Sequence, residues 1–206
     1  MTDSLLQMMR LKQEVRTGWT LRGVELPESV ADHSWGTALL CLAYAEQADV
    51  DGFRCVEMAI VHDLAEAVTG DIPTRLATMN DTAREEQKRR REQAAMERLV
   101  GSQEQGTVPN AGKIRRLWQE YEAGRSAEAC FVRDMNLIDM CLQAVVYERD
   151  GRNDPQTPDD GSGYPGLSEF FATTEPRLAT VVGKRLFAEV NERYQQLPSV
   201  RQRRGP

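Results

Sequence analysis

Two histidines, His33 and His62, are all that the chain contains, and the second stands in the string His62-Asp63-Leu64-Ala65-Glu66. Imidazole is the commonest transition-metal ligand and the usual acid–base group at neutral pH, so two copies leave few ways to build a site. An imidazole nitrogen beside the Asp63 carboxylate suits a divalent transition metal. Glu66 follows His62 by four residues, which on a helix puts it one turn along the same face. There a carboxylate can take a proton from water or pass one to a leaving group. His33 lies one turn inside its own helix, placed to project into a shared cleft. A further ligand from a long helix over residues 126–147 would close a centre among three helices. A His-Asp pair also occurs as an ordinary hydrogen-bonded pair, and spacing alone leaves both readings open.

The elements that must position these groups all read as helices. Leu5 to Arg16 forms a first amphipathic segment ended by Thr17-Gly18. Ser29 is an N-cap for a helix from Val30 to about Ala48, with Ala38, Leu39, Leu42 and Ala43 as its apolar stripe. Asp51-Gly52 opens a helix from Phe53 to about Val68, whose inner face is Val56, Ala59, Ile60 and Leu64, stopped by Gly70 and Pro73. Glu85 to Val100 is a charged helix with a thin stripe of Ala94, Ala95 and Leu99, expected at the periphery. A helix from Ala111 to about Ala123 follows. Ser126 caps the long helix to about Tyr147, with Val132, Met135, Leu142 and Val145 inward. Residues 150–166, rich in Gly, Pro and Asp, read as a loop insert. A final helix runs from Pro176 to Gln196, and residues 197–206 read as a tail. No strand alternation and no repeat is present; the expected fold is a single all-α domain over residues 1–206.

Composition bounds the function. Apolar residues at 40% and charged residues at 28% suit a folded globular chain rather than a disordered one. No apolar run is long enough to cross a bilayer, and Met1-Thr2-Asp3-Ser4 lacks the order of a secretory signal, so a cytoplasmic protein without membrane partners is expected. A net charge of −6 argues against binding nucleic-acid backbone. The basic run Lys88-Arg89-Arg90-Arg91 alternates with Glu85, Glu86, Glu92 and Glu97 and reads as a solvated helix face. Cys41, Cys55, Cys130 and Cys141 are scattered among apolar residues, as buried free thiols would be.

Several ordered motifs together resemble one family. Glu28-Ser29-Val30-Ala31-Asp32-His33, Val61-His62-Asp63-Leu64-Ala65-Glu66 and Gly70-Asp71-Ile72-Pro73 are similar to the HD-domain metal-dependent phosphohydrolases, most of all the 5'-deoxynucleotidase branch. The likeness extends to Arg16-Thr17-Gly18-Trp19, Leu117-Trp118-Gln119-Glu120-Tyr121-Glu122, Ser126-Ala127-Glu128-Ala129 and Leu142-Gln143-Ala144, spanning roughly residues 5–150. The resemblance implies a helical bundle with one divalent transition metal (cobalt, manganese, zinc or iron) between three helices. It further implies hydrolysis of a nucleoside 5'-monophosphate, or a related small phosphate monoester, by metal-activated water, and a homodimer. Carried over residue by residue, His33, His62 and Asp63 would be metal ligands and Glu66 would act on the water or the leaving oxygen. Asp71 would position the sugar or the catalytic network, Arg16 would hold phosphate, and Trp19 would pack the sugar or simply the core.

One position departs from the pattern. Aligned through Leu142-Gln143-Ala144, the fourth ligand, an Asp in the family, falls on Asn136, and Asp139 matches the second acidic position. An amide oxygen can bind a divalent ion but is neutral and a weaker donor than carboxylate. Asn136 is expected in the metal shell, with a lower metal affinity, since Asp139 lies a helical turn of about 5.4 Å away. The alternative is a non-hydrolytic HD protein that binds a nucleotide or a partner. Two histidines cannot furnish a histidine-rich diiron centre, and the short chain disfavours a triphosphohydrolase or alarmone hydrolase.

Overall fold

The computed structural model describes residues 1–73, 80–101, 106–153, 164 and 166–197. It is all-α: among the described residues there is no strand, just isolated bridges such as Val15 with Ser29. In chain order the helices are α1 (Thr2–Met8), α2 (Thr17–Thr20), α3 (Val30–Tyr44), α4 (Gly52–Val61), α5 (Glu66–Thr69), α6 (Thr82–Val100), α7 (Ala111–Ala123), α8 (Ala127–Arg149), α9 (Ser168–Thr174) and α10 (Val181–Gln195). Most of the residues expected to form a loop over 150–166 and a tail over 197–206 lie outside the described residues.

α8 is the axis of the bundle. It packs against α3, α4, α7, α9 and α10 and buries Phe131, Val132, Met135, Leu137, Ile138, Cys141, Ala144 and Tyr147. Its N-terminus is capped by Ser126, whose hydroxyl accepts the Ala129 amide at 3.1 Å. Asp134, one of its few buried charges, caps the next helix in space by accepting the Thr180 amide at 2.7 Å ahead of α10. α3 begins with a reciprocal capping box: Ser29 Oγ accepts the Asp32 amide at 3.2 Å, and Asp32 accepts the Ser29 amide at 2.9 Å. That box sets the phase of α3 and brings His33 onto its buried face with Val30, Thr37 and Cys41.

Several expectations are corrected here. Of the stripe Ala38, Leu39, Leu42 and Ala43, only Ala38 packs against the core: Leu42 is 72% exposed, and Leu39 and Ala43 are also exposed. On α4, Val56, Ala59 and Leu64 are at least partly buried, but Ile60 is 57% exposed. α3 is apolar on nearly all sides, so periodicity could not choose between its faces, and the face bearing His33, Ser34 and Thr37 is the one turned inward. On α4 the buried residues are Cys55, Met58, Ala59 and Val61. On α8, Val132 and Met135 are buried as expected, whereas Leu142 is exposed. The first segment ends as a helix at Met8 and continues as a 3₁₀ turn to Lys12. Pro176 lies in a 3₁₀ turn ahead of α10 rather than inside it. Cys41, Cys55 and Cys141 are buried free thiols, with Cys130 half-buried, and burial pushes Cys55 and Cys141 up to about 12.

Candidate metal centre

The helix expected over 53–68 is broken where the chemistry sits. α4 stops at Val61 and α5 starts at Glu66, with a turn between. The cause is local: His62 Nδ1 lies 2.7 Å from the Ala59 carbonyl. The bridging segment is held instead by tighter three-residue bonds, Leu64 N to Val61 O at 3.1 Å and Glu66 N to Asp63 O at 3.0 Å. Neighbours on a regular helix diverge by about 100°; here the turn lets His62 and Asp63 converge, with His62 Nε2 3.1 Å from Asp63 Oδ2. The expectation that Glu66 shares one regular helical face with His62 is therefore corrected, though Glu66 still reaches the same cleft.

His33 enters from α3. Its Nε2 is 3.7 Å from Asp63 Oδ2, and the two imidazole centroids are 5.3 Å apart. The ligand atoms of His33, His62 and Asp63 all fall within 4.8 Å of one another. Both Nε2 atoms are buried and, among the described residues, neither has a hydrogen-bond partner beyond its approach to Asp63, a costly state for a polar atom unless something else occupies it. The opposite ring nitrogens are both engaged, His62 Nδ1 with Ala59 O and His33 Nδ1 with Asp139 Oδ2, each at 2.7 Å. With the proton placed on each Nδ1, both Nε2 lone pairs are left available near Asp63 Oδ2, at 3.7 Å and 3.1 Å, as metal ligation requires. Two imidazoles and a carboxylate are a donor set that fits a divalent transition metal.

Electrostatics separate the two rings, favouring neutral imidazole at His33 and, through Asp63, a more basic one at His62. Burial, helped by the Arg16 charge, lowers His33 to about 3, so its ring is neutral. Burial opposes charge on His62, but the adjacent Asp63 carboxylate outweighs it and raises the imidazole above its ordinary value. Burial likewise opposes ionised Asp63, yet His62, His33 and Arg16 hold it well below the usual carboxylate range. Glu66 is the reverse case: burial, then the Asp63 and Asp71 charges, push it well above the ordinary value. Its Oε2 is buried without a hydrogen-bond partner among the described residues.

Arg16 joins the two acidic groups. Its Nη1 is 3.4 Å from Asp63 Oδ2 and 3.4 Å from Asp71 Oδ1. Asp71 is fixed from the other side, accepting the Thr17 amide at 2.6 Å, and Gly70 before it takes φ +74°, a conformation that favours glycine. Trp19 is just 1% exposed; it stacks on Phe170 at 4.0 Å and donates from Nε1 to Glu28 at 2.9 Å. Its ring belongs mainly to the core, although an edge lines the cleft. Asn136 reaches the cleft from α8, and its Nδ2 donates to Tyr121 Oη at 2.6 Å. Tyr121 in turn meets the His62 ring edge-on, with centroids 5.1 Å apart.

The cleft has a volume of about 1040 Å³ and is walled by the α2 region, the α4–α5 turn, α6, α7, α8 and α9. α6 is thus not peripheral. It turns Glu85, Lys88 and Glu92 into the cavity, and burial raises Glu92 to about 7. The signal was present in the sequence: Lys88 and Glu92 are in phase with buried Ala95 and Leu99, so the charged stripe continues the inner face.

Asp139, the second acidic position and a substitute ligand set aside on distance, contacts His33 Nδ1 in the structure. Besides orienting His33, its Oδ1 would lie 2.0 Å from a Cβ added at Gly36, so the carboxylate occupies the slot that glycine leaves open. Asp139→Ala is expected to weaken metal affinity about 10- to 100-fold, the usual cost of losing the group that orients a ligating histidine. Competition with a chelating dye measures it; an unchanged affinity would remove Asp139 from the site.

Comparison with known proteins places the chain. The HD domain family model matches residues 8–161. The chain is 36% identical over 181 residues to a 5'-deoxynucleotidase HDDC2 of Danio rerio, covering 85% of this chain and 80% of that one. It is 38% identical to the Homo sapiens 5'-deoxynucleotidase HDDC2 over 151 residues, 70% of this chain and 69% of the relative. Among solved structures, a protein from Pyrococcus horikoshii OT3 superposes with a TM-score of 0.68 at 30% identity, covering 95% of this chain and 99% of that one. A predicted metal-dependent phosphohydrolase from Magnetospirillum magnetotacticum superposes with a TM-score of 0.62 at 25% identity, covering 96% of each.

Proposed function

The chain belongs to the HD domain family, and from that premise we propose that it is a metal-dependent phosphohydrolase that releases phosphate from nucleoside 5'-monophosphates or a closely related small phosphate monoester. The observation that carries this reading is the pair of buried Nε2 atoms of His33 and His62, partnerless among the described residues beyond their approach to Asp63 Oδ2, in the same cleft as Glu66 and Arg16. The named 5'-deoxynucleotidase relatives supply the substrate class.

His33, His62, Asp63 and the Asn136 amide oxygen would hold one divalent ion, of which cobalt, manganese, zinc and iron all suit the donors. When bound, such an ion supplies positive charge to phosphoryl oxygens and makes adjacent water more acidic. Arg16, spanning Asp63 and Asp71, is placed to orient a phosphoryl group. Asp71, pinned by the Thr17 amide, keeps Arg16 in that pose and offers its edge to the sugar. Glu66 holds a proton, because burial and two neighbouring carboxylates favour its neutral form. As water forms its bond to phosphorus and the bond to O5' breaks, that proton passes to the departing O5'. The proton released by the water then restores Glu66. Trp19 closes the wall on the sugar side from its place in the core.

A non-hydrolytic, purely nucleotide-binding reading is not favoured, since the acid–base group and the ligand set converge on one cleft. The whole chain is read as one domain, supported by a single buried apolar cluster that draws on α1 through α10. Free thiols fit a reducing, cytoplasmic compartment, and no helix among the described residues is long and apolar enough to cross a membrane. A homodimer is supported by the outward apolar face of α3 and α4, where Trp35, Leu39, Leu42, Phe53 and Ile60 are all exposed. Leu42→Glu is expected to convert a dimer to monomer in light scattering; a monomeric parent protein would dismiss that reading. The activity itself is tested by assaying phosphate release from a panel of 5'-monophosphates with and without a chelator.

A further inference from the structure

The run Lys88-Arg89-Arg90-Arg91 divides between two environments. Arg89 and Arg90 are exposed and both pair with Glu86, at 2.8 Å and 2.9 Å. Lys88, its side chain 26% exposed, enters the cleft that holds the metal-ligand set; Arg89 also lines that cleft but stays tied to Glu86 at its rim. Its one ion pair among the described residues is a long 3.6 Å contact with Glu92, a turn further along α6. The charges that act on it most strongly are Glu92, Glu66, Asp63 and Glu85, so the ammonium looks toward the acidic centre from α6, which packs against α5.

Arg16, the other cation facing Asp63, is already shared between Asp63 and Asp71. A phosphate monoester is a dianion near neutral pH. Set against Asp63 and Asp71, a divalent ion and Arg16 leave one negative charge of that dianion uncompensated. Asn136 makes the ligand set less negative than the family pattern but contributes no cation. Arg133 and Arg177 also line the cleft but donate to the carbonyls of Tyr121, Glu122 and Thr173. Lys88 carries the missing charge on a flexible stem with three rotatable donors, and its 3.6 Å contact with Glu92 leaves it free to turn.

We propose that Lys88 is a phosphoryl-binding residue, its ammonium leaving Glu92 to contact the non-bridging oxygens on the side of the cleft facing Arg16. The assignment rests on the phosphohydrolase reading above and adds to it a role for α6, which delivers the second cation of the phosphate subsite. Arg89 and Arg90 take no part.

The test uses the full chain loaded with manganese and inorganic phosphate as the probe, titrated by calorimetry, with a phosphate-free deoxynucleoside as control. Lys88→Met keeps the aliphatic stem and removes the charge. It is expected to weaken phosphate binding about 10- to 100-fold, in line with loss of a charged hydrogen bond, while deoxynucleoside binding and the melting temperature stay close to the parent. Lys88→Arg should restore most of the phosphate affinity. Phosphate affinity of Lys88→Met within threefold of the parent overturns the proposal. So does a parallel loss of deoxynucleoside and phosphate binding, which marks a structural role. A parent protein that binds phosphate through Lys88 yet hydrolyses no monophosphate would instead refute the phosphohydrolase reading and leave the Lys88 subsite standing.

Discussion

Glu66→Gln is expected to lower kcat about 100- to 10,000-fold, the span ascribed to a positioned acid or base, with KM and metal affinity changed little. The substitution keeps the size of the side chain and removes the proton that Glu66 would give to the leaving oxygen. Glu66 is almost fully buried, and burial together with Asp63 and Asp71 raises it above the ordinary carboxylate value. The sign of the pH effect follows. The working form is the protonated one, populated below the raised value and lost as pH rises through it, so kcat should fall on the alkaline side. Glu66→Gln should lack that alkaline limb. Stopped assays of phosphate release from pH 5 to 9 measure both effects. A variant with parental kcat would show that the leaving oxygen takes its proton elsewhere.

Asn136→Asp is the second large expectation, and it acts in the opposite direction. The Asn136 amide donates from Nδ2 to Tyr121 Oη at 2.6 Å, which leaves Oδ1 as its remaining donor atom toward the cleft. A carboxylate there keeps the tyrosine contact, now accepting from the hydroxyl, and adds a negative charge beside the ion. Metal affinity should tighten about 10- to 100-fold on Coulombic grounds. Chelator competition at fixed pH reads the change directly. Affinity within twofold of the parent would place Asn136 outside the metal shell.

Much of the candidate site was legible because it rests on local signals. Ser29, an N-cap by residue type, announced the start of α3 and hence the placement of His33. The His-Asp pair and Glu66 announced themselves by type and spacing, and Asn136 stood out against the family pattern. What stayed hidden depended on tertiary choices. The contact between His62 Nδ1 and Ala59 O breaks a helix that periodicity reads as continuous. Asp139 acquires meaning through Gly36, a hundred residues earlier and one turn past His33, which opens the slot for its carboxylate. On α3 the sequence offers apolar residues to both faces, so the outward turn of Leu39 and Leu42 could not be read from pattern. On α6 the opposite error arose: charge suggested solvent, whereas Lys88 and Glu92 face a polar cavity.

The central claim is that His33, His62 and Asp63, completed by Asn136, hold a divalent ion that this chain uses to hydrolyse nucleoside 5'-monophosphates. The most direct measurement strips the protein with a chelator and follows phosphate release from a panel of 5'-monophosphates, ribo and deoxy, as single divalent cations are restored. The expected result is no release from the stripped protein and recovery of turnover with at least one of cobalt, manganese, zinc or iron. Release that persists unchanged after stripping, or nucleotide binding without turnover under every cation, would contradict it.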